Sequence, residues 1–234
     1  MSPGGLHAIV LAAGAGSRLR AVAPVKPLAE VAGRPLILHA LDSLAAAGVK
    51  AATVVTGHEA RAVAVVLGAS SIPAAPLHNP AWATAPNGVS VLAAAGAIRG
   101  PTLLMMADHL VAPTLIRRLV AAAPAPAGLA LAVDRRLGSP LVDEADVTRV
   151  RTRGDRILAV GKRLASYDGY DSGVFMVTER LVEALGGLRS PSLSDGVGLL
   201  AAEGMAQAVD IGDAFWMDVD DPAALSMAQA LWPG

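Results

Sequence analysis

The chain has 234 residues, 53% apolar and 17% charged, and its 19 basic side chains nearly balance 20 acidic ones. Although 49 residues are alanine, enough Leu, Val, Ile and Met remain for a full core, which excludes disorder over most of the length. A formal charge of −1 excludes the clustered Lys and Arg that a nucleic-acid or anionic-membrane surface demands, and the absence of cysteine excludes disulfides, a thiolate nucleophile and Cys-ligated zinc.

The amino-terminal Met1-Ser-Pro-Gly-Gly-Leu6 has no basic n-region, and no run of about 18 apolar residues escapes an interrupting charge, Pro or polar turn. These features predict no secretory leader, no membrane insertion and a cytoplasmic location. The length fits a single domain over residues 1–234.

Leu6–Leu11 is a short apolar run ending in small residues and glycines, as a buried parallel strand feeding a loop does. Pro35–Ala47 predicts a helix opened by Pro and closed at Gly48. Ala51–Thr56 reads as a strand, Glu59–Leu67 as a helix, Pro73–Leu77 as a weak strand and Gly88–Ile98 as a helix. The strand Thr102–Ala107 delivers Asp108 at its carboxyl end and is followed by a helix over Pro113–Ala123. The Ala/Pro stretch 121–128 is the most linker-like segment.

Beyond Gly128 the texture changes to strand-like pieces at Leu129–Val133, Asp146–Thr152, Arg156–Val160 and Val174–Val177. Helices follow at Glu179–Leu185 and Ser194–Glu203, then a strand at Gln207–Ile211 and a closing helix at Asp221–Leu231. The alternation predicts an α/β fold: a Rossmann-like, doubly wound mixed sheet, mostly parallel, with a small antiparallel extension. Ligands bind such sheets at the carboxyl ends of the strands.

The strongest local signal is Leu11-Ala-Ala-Gly-Ala-Gly-Ser-Arg-Leu19, followed by Pro24-Val-Lys-Pro-Leu28 and Val31-Ala-Gly-Arg-Pro-Leu36. Small residues let the backbone approach a polyphosphate, their N–H groups supply donors, and Arg18 and Lys26 supply charge. A tight strand-to-helix turn with an incidental Arg would read the same way. The spacing fits neither the dinucleotide fingerprint nor a P-loop.

Taken together, these motifs resemble the sugar-phosphate nucleotidyltransferases. With Met105-Met-Ala-Asp-His109, Val160-Gly-Lys162, Tyr170-Asp-Ser-Gly-Val-Phe175, Ser192-Leu-Ser194 and Phe215-Trp-Met-Asp-Val-Asp220 in that order, the chain is most similar to CTP:inositol-1-phosphate cytidylyltransferases. The resemblance implies the nucleotide-diphospho-sugar transferase fold, with residues 1–123 as a nucleotide-binding half and 128–234 as an acceptor-binding half. It implies a Mg²⁺-dependent transfer of CMP from CTP to a phosphorylated small alcohol, inositol 1-phosphate or another polyol phosphate. A phosphonate acceptor such as 2-hydroxyethylphosphonate is the alternative, and a non-catalytic nucleotide-binding protein a third. The Ala-rich surface leaves room for a homodimer.

Carried over residue by residue, the resemblance makes Asp108 and Asp218 metal ligands, with Asp220 second to them. The alternative for these acids is a helix cap or an Arg partner. Lys26 would hold the triphosphate, Arg18 the leaving pyrophosphate and Lys162 the acceptor's phosphate; the chain has only three lysines, and two fall at these positions. Leu11, Ala12, Ala13, Gly14, Ala15, Gly16 and Ser17 would meet the nucleotide together with Asn87, Gly88 and Ser90. His109, Tyr170, Asp171, Ser172 and Gly173 would line the acceptor pocket, although the last four also read as a turn at a strand edge. Trp216 is expected to pack the end of the sheet.

Overall fold

The computed structural model describes residues 5–232. The first four residues of the segment considered as a leader lie outside the described residues. In chain order, β1 (His7–Ala12) leads through a long loop to the hairpin β2 (Glu30–Val31) and β3 (Arg34–Pro35), then α1 (Leu36–Ala46), β4 (Ala51–Thr56), α2 (Ala60–Val66) and β5 (Ala74–His78). Next come α3 (Asn87–Ala93), β6 (Thr102–Met106), β7 (His109–Val111), α4 (Pro113–Ala122), β8 (Leu129–Asp134), β9 (Arg149–Arg153), β10 (Arg156–Gly161) and β11 (Gly169–Val177). The chain closes with α5 (Glu179–Gly186), α6 (Leu193–Ala202), β12 (Ala206–Asp210), β13 (Trp216–Asp218) and α7 (Pro222–Leu231). Among the described residues no helix is long and apolar enough to cross a membrane.

Nine strands form one mixed sheet in the order β5-β4-β1-β6-β11-β8-β12-β10-β9. The first four run parallel. β11 enters antiparallel to both β6 and β8, β12 pairs parallel with β8, and the β9–β10 hairpin closes the far edge. The antiparallel part is therefore larger than the small extension expected from sequence. The nine residues of β11 are the reason: they carry the strand back through Tyr170–Gly173, where sequence reading starts it at Val174.

Period-two alternation splits each buried strand between two helical layers. On β1, Ala8, Val10 and Ala12 face the side covered by α1 and α4, while Ile9 and Leu11 face the side covered by α3, α5 and α6. Each fully buried Leu, Val or Ile contributes about 1.5–3 kcal/mol to that three-layer packing. A third apolar cluster joins Leu19 of the loop after β1 to Val31, Leu36, Leu110, Met217 and Val219. It pins the glycine-rich loop against the short β7–β13 ladder, which sequence reading misses because strands of three residues carry no periodic signature.

Candidate active site

The loop after β1 is shaped around one lysine. Gly16 has φ +58°, and a Cβ there would fall 2.3 Å from the Cβ of Lys26, so both the backbone conformation and the close approach require glycine. Lys26, only 7% exposed at its side chain, lies 2.5 Å from Asp108 and 3.7 Å from Asp218, and is also paired with Asp220. Arg18 pairs with Asp220 and lies 2.5 Å from Asp146; Asp146 in turn pairs with Lys162.

Two acids 110 positions apart in sequence meet because β7 and β13 pair antiparallel. That register sets Asp218 opposite His109, and the Val219 N–H donates to the Asp108 carbonyl at 3.0 Å. His109 Nδ1 donates to the Ser172 carbonyl at 2.8 Å, which turns Nε2 to 3.7 Å from Asp108 Oδ1 and 3.6 Å from Asp218 Oδ1. Burial and the charge of Asp218 push Asp108 up to about 6, with His109 opposing the rise. Burial works against charge on His109, but the two carboxylates, Asp218 foremost, outweigh it and raise the imidazole to about 10.

Among the described residues, Asp108 Oδ1 and Asp218 Oδ1 are buried without a hydrogen-bond partner. Asp108, His109 and Asp218 each bring a ligand atom within 4.8 Å of the others. Two orphaned carboxylate oxygens held side by side fit a hard divalent cation, which relieves both their desolvation and their repulsion. Asp220 does not join this cluster: its carboxylate is turned to Lys26 and Arg18. His109 sits with the carboxylates as much as in the acceptor wall.

Two cavities open at this centre. The first, of about 320 Å³, is lined by Leu11, Ala12, Ala13, Gly14, Gly16, Ser17, Arg18, Lys26, Asn87 and Ser90, with Trp82 beside them. Of the residues expected to meet the nucleotide, Ala15 and Gly88 are not in this lining. Gly88 is buried against the carbonyl of Pro191, where α3 packs on the start of α6, so the segment that supplies Asn87 and Ser90 spends Gly88 on helix packing. Asn87 Oδ1 accepts from the Leu193 N–H at 2.8 Å across the same contact.

The second cavity, of about 260 Å³, is lined by His109, Asp171, Gly173, Lys162 and Trp216 and by the 141–148 loop. Arg18, Asn87, Asp108 and Asp220 line both cavities, so the two meet at the acid cluster. The first-half residues Arg18, Asn87, Asp108 and His109 in this wall mean that the division of the chain at 123–128 does not divide the site. Burial raises Asp171 to about 6, against the Gly173 N–H that it accepts at 2.7 Å.

Tyr170 does not line the acceptor cavity. It is fully buried, and its hydroxyl pairs with Glu144 and accepts from the Gly138 N–H at 3.0 Å, which ties down the loop carrying Asp146. Side chains alternate along β11, so that Asp171 and Gly173 reach the cavity while Tyr170 and Ser172 are spent beneath it. Ser172 donates from its hydroxyl to the Ala132 carbonyl at 2.8 Å. Trp216 packs at the sheet end and donates Nε1–H to the buried Asp134 at 2.7 Å, which Arg136 also grips.

Gly173 has φ +74°, and a Cβ there would lie 2.4 Å from His109 Nδ1. Gly173→Ala is expected to cost about 3 kcal/mol through strain and displacement of His109. Urea denaturation checks this, and an unchanged midpoint would contradict it.

Sequence reasoning misses Trp82 and Asp146. Trp82 follows an Asn-Pro turn and is one of three tryptophans, a signal that could have drawn attention to it. Asp146 lies in an irregular loop with no spacing relation to Arg18 or Lys162.

A sequence profile of the MobA-like NTP transferase domain matches residues 8–185. A bifunctional IPC transferase and DIPP synthase of Rubrobacter xylanophilus is 37% identical over 232 residues, covering 97% of this chain and 52% of that protein. The chain thus spans about half the length of that relative. A CMP-5'-(3-aminopropyl)phosphonate synthase of Streptomyces rubellomurinus is 34% identical over 245 residues, covering 93% of this chain and 37% of that protein. The inositol-1-phosphate CTP transferase from T. maritima superposes with a TM-score of 0.88 at 25% identity, covering 100% of this chain and 99% of the other. The fold is that of the nucleotide-diphospho-sugar transferases.

Proposed function

We propose that this chain, which belongs to the MobA-like NTP transferase family, is a cytidylyltransferase that moves CMP from CTP to inositol 1-phosphate or a similar polyol phosphate. One observation carries the reading: two cavities meet at Asp108, with Lys26 in the first, Lys162 in the second, and Arg18 at their junction. The Rubrobacter and T. maritima relatives support the choice of base and acceptor. We place the reaction in the cytoplasm, where CTP is available.

The glycine-rich loop, Lys26 and Arg18 hold the triphosphate, and Lys162 holds the acceptor's phosphate. An oxygen of that phosphate attacks the α-phosphorus of CTP in line; the new P–O bond forms as the bond to the β-phosphate breaks, and pyrophosphate leaves. The attacking group is already an anion, so the chain need supply no nucleophile and no strong base. Lys26 and Arg18 are preset countercharges for the developing pyrophosphate, held in advance by Asp220. Asp108 and Asp218 would hold Mg²⁺, which when bound supplies charge neutralisation and orientation of the phosphates.

Lys162 is half exposed and paired with Asp146. Lys162→Ala is expected to raise the acceptor KM by about tenfold or more while leaving the CTP KM within about twofold. The opposite split would reverse the roles of the two lysines.

The Streptomyces relative favours a second reading within the same chemistry, a phosphonate acceptor. Mass spectrometry of products from CTP with inositol 1-phosphate, phosphocholine, 2-hydroxyethylphosphonate and 3-aminopropylphosphonate separates the two. A CDP-inositol product supports the first reading; a CMP-phosphonate alone moves the acceptor to the second.

A further inference from the structure

Besides Lys26 and Arg18, the nucleotide cavity is lined by the apolar Leu11, Ala12, Ala13, Trp82 and Ala85, and Ser90 belongs to the same lining. Ser90 is buried on α3, and behind it is Asn79, 2% exposed, immediately after β5. The Ala81 N–H donates to one end of the Asn79 amide at 3.0 Å. A backbone N–H can only donate, so that end is Oδ1 and the other is Nδ2. Nδ2 lies 3.0 Å from Ser90 Oγ and can only donate to it. The hydroxyl is thereby made an acceptor on its buried side, and its own hydrogen is turned away from Asn79. Among the described residues that hydrogen finds no protein acceptor, and the group lines the cavity.

We propose that Asn79 is a positioning residue which locks Ser90 as a hydrogen-bond donor toward N3 of the base, and that this locked polarity selects cytosine over uracil. N3 of cytosine accepts a hydrogen bond, whereas N3 of uracil carries a hydrogen. With one lone pair taken by Asn79 and no protein acceptor for its hydrogen among the described residues, the hydroxyl is satisfied by giving that hydrogen to N3 of cytosine; opposite uracil it would have to accept from N3–H and strand its own hydrogen in a buried site. The inference rests on the cytidylyltransferase reading for the identity of the nucleotide and adds the device that enforces it.

Asn79→Asp is the decisive variant because it keeps the shape and the Ala81 contact but reverses the polarity. An ionised carboxylate accepts from Ser90, and the Ser90 lone pairs then face the base. At pH 8 the ratio of kcat/KM for CTP to that for UTP is expected to fall by about tenfold or more, with turnover of UTP rising relative to CTP. A folded variant whose ratio stays within about twofold of the parent overturns the proposal, as does an equal loss for both nucleotides. Should Asn79→Asp fail to fold, Ser90→Ala removes the donor while leaving the Asn79 turn, and an unchanged ratio there overturns it equally. Wild-type turnover of CTP tests the underlying reading by itself. If that turnover is absent, calorimetric binding of CTP and UTP to parent and variant still measures the ratio, so the two failures are distinguishable.

Discussion

Asp108→Asn is expected to lower pyrophosphate release by about a thousandfold or more while the fold survives. Asp108 is the group on which the site converges: it lies between β6 and β7, borders both cavities, touches Lys26 and offers an orphaned oxygen beside that of Asp218. The amide keeps the volume but removes the charge that would hold a divalent cation. Stability is expected to change by no more than about 1 kcal/mol. Burial and Asp218 already disfavour the ionised Asp108, so its lost pairing with Lys26 is offset, and Lys26 keeps Asp220. Steady-state pyrophosphate release and a thermal melt check both parts. Near-normal turnover would contradict the role of Asp108, and a collapsed melt would assign it to the fold instead.

Lys26→Ala is expected to have the opposite balance, losing stability as well as CTP binding. The ammonium is nearly enclosed and answers three carboxylates, so its removal leaves Asp108, Asp218 and Asp220 facing one another. Stranding partly buried charge in this way costs about 2 kcal/mol, less than for a fully buried pair. The shortened side chain also leaves a gap where Gly16 packs, loosening the loop that would cradle the phosphates. Urea denaturation and calorimetric titration with CTP check the two effects. Added Mg²⁺ is expected to recover part of the stability, because a cation between Asp108 and Asp218 replaces some of the missing charge. A variant of parental stability that binds CTP normally would contradict this account of Lys26.

Much of this arrangement is written locally in the chain. Small residues after an apolar strand announce the loop at Gly14–Gly16, and Asp108 at the end of an apolar run announces a strand-end acid. Pro35 and Gly48 bracket α1 to within about two residues. What escapes local reading is set by pairing over long distances. The union of Asp108 with Asp218 depends on β7 and β13, three residues each. Tyr170 and Asp171 are neighbours with opposite fates because side chains alternate along β11, and its pairing with β6 and β8 decides which face meets the cavity. Asp220 reads as a candidate ligand from its spacing to Asp218, yet two cations in its surroundings claim it. Asp146 pairs with Arg18 across 128 positions and Asn79 donates to Ser90 across 11, and no motif spacing connects either pair.

The central claim is that the acid cluster where the two cavities meet transfers CMP to a phosphorylated acceptor. Pyrophosphate release from CTP with inositol 1-phosphate, with and without Mg²⁺ and with each substrate omitted in turn, tests it most directly. The account predicts release only when CTP, acceptor and Mg²⁺ are all present, and little when UTP replaces CTP. Release that continues without an acceptor would mean hydrolysis rather than transfer and would contradict the account, as would release indifferent to the metal.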